Sequence, residues 1–159
     1  MSEVRFSQVE GPGLGREYPV GASTYFHRLG GKFVDFSGGS VCCAASGNTK
    51  ILGWAEVPKD TSGADSWASS STTKKDKVFV VYDHDAVFEM PFHGTASMNH
   101  VNVCVGIVNG TGIAAANTTV SATTKQHAKA GSPASPLRIV DVDTVNNTVF
   151  VKINRNYRQ

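Results

Sequence analysis

The sequence predicts an all-β fold, a small β-barrel or β-sandwich-like domain with long loops and an extended N-terminal arm. Three observations carry this reading. Apolar runs are short, and clusters of Gly, Asn, Asp and Ser punctuate them at the spacing of successive strands. No 3.6-residue apolar stripe runs through roughly the first 110 residues, so nothing there reads as an amphipathic helix. Near the C-terminus, two stretches of alternating apolar residues flank a set of turn formers, the pattern of a hairpin.

Taken in order, residues 1–27 hold three close glycines in GPGLGRE and no sustained period, and are read as an extended arm. A single β-rich domain follows over residues 28–159. Its expected strands are KFVDF (32–36), SVCCAA (40–45), KILGWAEV (50–57), KVFVVY (77–82), AVFEMPF (86–92) and HVNVCVGIV (100–108), with SGG, SGN, DHD and NGTG among the separators. In the closing segment PLRIVDVDTVNNTVFVKIN, the apolar run through Leu137, Ile139, Val140 and Val142 gives way to Asp143 and Thr144. Val149, Val151 and Ile153 then alternate. Asn146 and Asn147 are the expected turn, because Asn tolerates left-handed backbone.

Two separators, residues 58–77 and 109–136, exceed the length usual for a plain loop in a compact domain. Within the second, TTKQHAKAG (123–131) has room for one helical turn or two at most. In the first, Trp67 stands among serines. A large aromatic gains little by facing water, so it anchors its loop either on its own domain or on a neighbouring chain.

Composition narrows the function. The 159 residues suffice for one core, and only 18% are charged, against roughly 25% in ordinary globular domains. A net charge of +2 is too small to suggest a polyanion ligand. The nearest thing to a basic cluster is Lys152, Arg155 and Arg158, read as a solvated terminus. Phe79, Tyr82, Phe88 and Phe92 travel with Asp83, Asp85 and Glu89, which argues against stacking on nucleic acid. No apolar run approaches the length of a membrane span, about 18 residues, and the N-terminus lacks an apolar signal core, so synthesis in the cytosol is expected. Cys42, Cys43 and Cys104 are read as reduced structural thiols.

No reactive constellation emerges. Gly11, Gly13 and Gly15 lack the flanking strand and helix of a dinucleotide loop, and Ser40 lacks the spacing of a nucleophile elbow. Asp83, His84, Asp85, Glu89, His93 and His100 gather metal-ligand side chains over two strands, but without a recognised ligand spacing. Asp85 and Glu89 as an acid/base pair have no further support. No catalytic, cofactor or metal residue is assigned, and the chain is not expected to be an enzyme.

Three stretches, GGSVCCAASGNTKILGWAEV, KDKVFVVYDHDAVFEMPF and PLRIVDVDTVNNTVFVKIN, follow one another in a succession that resembles the head-decoration (cement) proteins of tailed bacteriophages, over about residues 37–153. The resemblance implies a barrel-like protomer made in the host cytoplasm. It would assemble as a homotrimer on the exterior of the virion capsid, where it clamps adjacent subunits of the major capsid protein. It carries over no catalytic residue; with the charge and hydropathy above, no cofactor, nucleic acid or membrane partner is expected. The arm would add a strand to a partner's sheet edge, with Phe6, Val9, Leu14 and Tyr18 as anchors and Trp67 as a loop anchor between neighbours. Three alternatives remain open: a tail or fibre-base component, a carbohydrate-binding β-sandwich with Trp54 and Trp67 as stacking platforms, and a metal hydrolase built on the Asp/His cluster.

Overall fold

The computed structural model describes residues 7–10, 14–27, 33–44, 51–56, 66–109, 126–130 and 135–154. Within them lie β1 (Ser7–Glu10), β2 (Gly15–Pro19), β3 (Tyr25–His27), β4 (Phe33–Ser37), β5 (Ser40–Cys43), β6 (Gly53–Glu56) and β7 (Ser66–Ala68). These are followed by β8 (Lys77–Val81), β9 (Val87–Pro91), β10 (Cys104–Asn109), β11 (Gln126–Ala130), β12 (Leu137–Asp143) and β13 (Thr148–Ile153). A 3-10 turn, Met98–His100, precedes β10. The strands form a six-stranded sheet ordered β1-β9-β13-β12-β10-β11, a five-stranded sheet ordered β2-β8-β6-β4-β5, and a small β3-β7 ribbon. Every ladder is antiparallel.

The all-β, sandwich-like architecture follows from which faces the alternating side chains can bury. In the five-stranded sheet, Phe33, Trp54, Phe79 and Val81 point to one face and pack with Phe88, Met90, Val105, Leu137, Val149 and Val151 of the six-stranded sheet. Phe88 is the centre of that layer, with ring centroids 5.4 Å from Phe33 and 4.9 Å from Trp54. Val34, Val41, Cys43, Ala55, Val78 and Val80 point the other way, into a second core closed by Tyr18, Phe26 and Trp67. The middle strands β6 and β8 are largely buried on both faces and so have little polar face to display. That is why KVFVV and GWA read as nearly unbroken apolar runs.

Neither sheet is a closed barrel, although both curl far enough for distant strands to touch. An isolated bridge joins Val20 to Val41 across the five-stranded sheet, and another joins Phe92 to Ala128 across the six-stranded one. The sandwich half of the expected fold is therefore what forms. Close approach of backbones also fixes one residue type: a Cβ at Gly53 of β6 would run into the Val81 carbonyl oxygen of neighbouring β8.

Several expectations need correction. Residues 14–27 are not an irregular arm. β2 pairs along its length with β8, and Tyr18, Val20 and Phe26 are buried. The physical signal was the period-two pair Tyr18 and Val20, outweighed in the sequence by the glycines before it. β1 likewise pairs with β9, across a register shift between Gln8 and Glu10. The segment read as helical turns at 123–131 contains strand β11, because Ala128 fills a place beside Ile107 that only a ladder with β10 provides. Strand β7 lies inside the long 58–77 separator. β10 begins at Cys104 and not at residue 100, since residues 98–103 turn through the 3-10 segment and a left-handed Asn102 (φ 68°).

Candidate functional site

Of the residues singled out for an interface, Phe6 lies outside the described residues, and Val9 sits on β1. Leu14, between β1 and β2, is 59% exposed, while its carbonyl accepts a hydrogen bond from the Tyr82 amide at 3.0 Å. Tyr18 is a core residue and not an arm anchor: the Arg16 guanidinium lies 4.6 Å over its ring and Phe36 meets it edge-on at 5.8 Å. Trp67 packs on Phe26 of its own domain, ring centroids 5.7 Å apart, so its loop is anchored within the chain. Trp54 is buried at 4% exposure between Phe33 and Phe88, which removes it as a carbohydrate-stacking platform.

The Asp/His residues have separate local roles. Asp83 accepts the Asp85 amide at 2.8 Å, closing the β8–β9 turn on itself. Glu89 is buried on β9 and accepts a 2.7 Å hydrogen bond from the Thr148 hydroxyl on β13. His100 accepts the Ser97 amide through Nδ1 at 3.1 Å and packs on Phe92, ring centroids 4.7 Å apart. His93 is exposed. Among the described residues, no three His, Cys, Asp or Glu side chains lie together as a metal site requires.

A different arrangement occupies one end of the six-stranded sheet, where the β12–β13 turn meets the loop after β9. Asp143 organises the turn: its Oδ1 accepts the amides of Val145 (2.9 Å) and Asn146 (3.0 Å), and its Oδ2 accepts Asn146 Nδ2 at 2.6 Å. Asn147, at φ 56°, then ties the two loops together. Its Oδ1 accepts the Ala96 amide at 2.7 Å, and its Nδ2 donates to the carbonyls of Gly94 (2.8 Å) and Phe92 (3.2 Å). The Phe92 amide returns a bond to the Asn147 carbonyl at 3.1 Å.

On these two tied loops stand the most exposed large apolar side chains of the described residues, Val145 at 90% and Met98 at 61%. An exposed valine alone is ordinary. Two apolar groups held out on loops that Asp143 and Asn147 tie in place lose little entropy on docking. The sequence reading identified Asn146 and Asn147 as a turn but not the reach of Asn147 to the loop after β9. That contact spans 51 positions and depends on how the sheet curls.

No protein-family model matches this sequence, and no curated protein or solved structure matches it.

Proposed function

We propose that the protein works by docking, as a virion structural protein that decorates the outside of a tailed-phage head and binds adjacent major-capsid subunits. The observation that carries the docking part is the preorganised apolar tip: Val145 and Met98 projecting from loops that Asn147 locks together. Interfaces draw much of their energy from a few anchors, and anchors on preorganised supports lose less entropy on binding. The choice of partner rests on the resemblance over residues 37–153 to head-decoration proteins.

The mechanism is linkage. A protein that binds the expanded shell and not the ruptured one stabilises the shell by RT ln(1 + [L]/Kd) at every site. Trimerisation would strengthen this, because docking of one protomer holds the others at high effective concentration. No bond in a substrate is made or broken in this reading.

The test is co-sedimentation with expanded phage heads, together with light scattering of the free protein. Wild type is expected to be a trimer and to pellet with heads. Val145→Asp and Met98→Glu are expected to fold normally and to pellet at least tenfold less. Undiminished binding by both variants would remove the tip from the interface, and failure of the wild type to bind any head would remove the decoration reading. A ring or tube that ignores heads would point to a tail component instead.

A further inference from the structure

The opposite end of β13 carries a second feature, unrelated to the apolar tip. A cleft of about 510 Å³ opens there, lined by His84, Asp85, Asn102, Arg138, Lys152 and Asn154, with Val140 and Ile153 as apolar wall. The register of the β12–β13 ladder sets Arg138 directly across from Lys152. Side chains at directly opposed positions lie on the same face a few ångströms apart, and like charges so placed repel. An arginine and a lysine side by side in a concave site offer a single oxyanion two cationic donors at once.

We propose that this cleft binds a small organic anion, its phosphate or carboxylate group held between Arg138 and Lys152. Charge-assisted bonds from two cations to one oxyanion are among the stronger polar contacts available at a protein surface. The size fits: small-molecule sites run from about 300 to 1,000 Å³ and combine an apolar wall with a few convergent polar groups. Asp85 belongs to the same lining, so among the described residues the cleft presents both cations and a carboxylate, a mix that favours a ligand with anionic and hydrogen-bonding groups together.

The surrounding backbone is set in advance. Asn154 donates its amide N–H to Pro136 O at 2.8 Å and its side-chain Nδ2 to Ser135 O at 3.3 Å, while the Asn102 amide donates to Ile139 O at 2.9 Å. The cleft does not have to be built when the ligand arrives. In the sequence, Lys152 read as part of a solvated basic tail; only the ladder register gives it Arg138 as a neighbour.

The experiment is an NMR titration of the full chain with inorganic phosphate and, separately, citrate, against sodium chloride at matched ionic strength. Saturable shifts centred on Arg138, Lys152 and Asn154 are expected with at least one anion. Arg138→Gln and Lys152→Gln should each weaken that binding tenfold or more. Arg138→Lys and Lys152→Arg, which keep the charge, should retain most of it and serve as the comparison if a glutamine variant folds poorly. Saturation with phosphate but not citrate assigns a phosphate compound, and the reverse a carboxylate. Shifts that stay linear with salt, or that are unchanged in charge-removing variants that fold, would overturn the proposal. Head binding by the Val145 tip is measured separately, so failure of one idea leaves the other standing.

Discussion

Replacing Asn147 separates two things this residue does, and the structure gives each a size. The side chain makes three hydrogen bonds to the loop after β9, and the backbone sits at φ 56°, where a Cβ is unfavourable. Each bond contributes about 0.5–1.5 kcal/mol net, less where water can replace the partner, so Asn147→Gly should cost about 2–3 kcal/mol. Glycine relieves the backbone strain that alanine keeps, so Asn147→Ala should be worse by about 1 kcal/mol more. Asn147→Asp can still accept the Ala96 amide but sets a carboxylate against the carbonyls of Phe92 and Gly94, and should fall below Asn147→Gly. Urea unfolding, with midpoints compared at constant slope, measures all three. If Asn147→Gly unfolds within about 0.5 kcal/mol of wild type, the tie between the loops contributes nothing, and the argument for a rigid tip fails with it.

Gly53→Ala should destabilise by more than about 2 kcal/mol, because the new methyl meets the Val81 carbonyl. Gly106→Ala, where a Cβ meets nothing within 4 Å, serves as the neutral control in the same thermal melt. Thr148→Val should cost about 1–3 kcal/mol by leaving the buried Glu89 carboxylate without its hydroxyl donor, as chemical denaturation would read. Burial, reinforced by the neighbouring Cys42 thiol, pushes the Cys43 thiol well above its ordinary value near 9.0. The folded state thus keeps a proton that the unfolded chain releases. This contribution is fully present below about pH 9 and is lost above it at up to about 1.4 kcal/mol per pH unit; stability measured from pH 8 to 11 should fall more gently in Cys43→Ala. The same burial predicts that a maleimide labels Cys43 only after unfolding, which mass spectrometry of native and denatured samples would check.

The interior strands were legible because their chemistry is local. Trp54, Phe79, Phe88, Val149 and Val151 declare a buried alternation within five or six residues, and Asp143 through Asn147 spell out a turn. β2, β7 and β11 were missed for a shared reason. Each is short, carries at most one large apolar side chain, and becomes a strand only when a partner supplies the ladder: β8 for Gly15–Pro19, β3 for Ser66–Ala68 and β10 for Gln126–Ala130. Polar segments of that kind carry little periodicity, and their hydrogen bonds come from neighbours far along the chain.

By itself the sequence determined that the chain is all-β and that it closes in a C-terminal hairpin, because side-chain period and turn chemistry are properties of adjacent residues. Tertiary structure alone decided that Tyr18 and Trp54 are core, that Asn147 locks two loops 51 positions apart, and that Arg138 faces Lys152 across a cleft. Those three facts depend on sheet curl and strand register. Register sets which distant side chains become neighbours: between strands remote in sequence no turn fixes it, and in the β12–β13 hairpin the irregularity between Ile139 and Asp141 shifts the pairing that the turn alone would give.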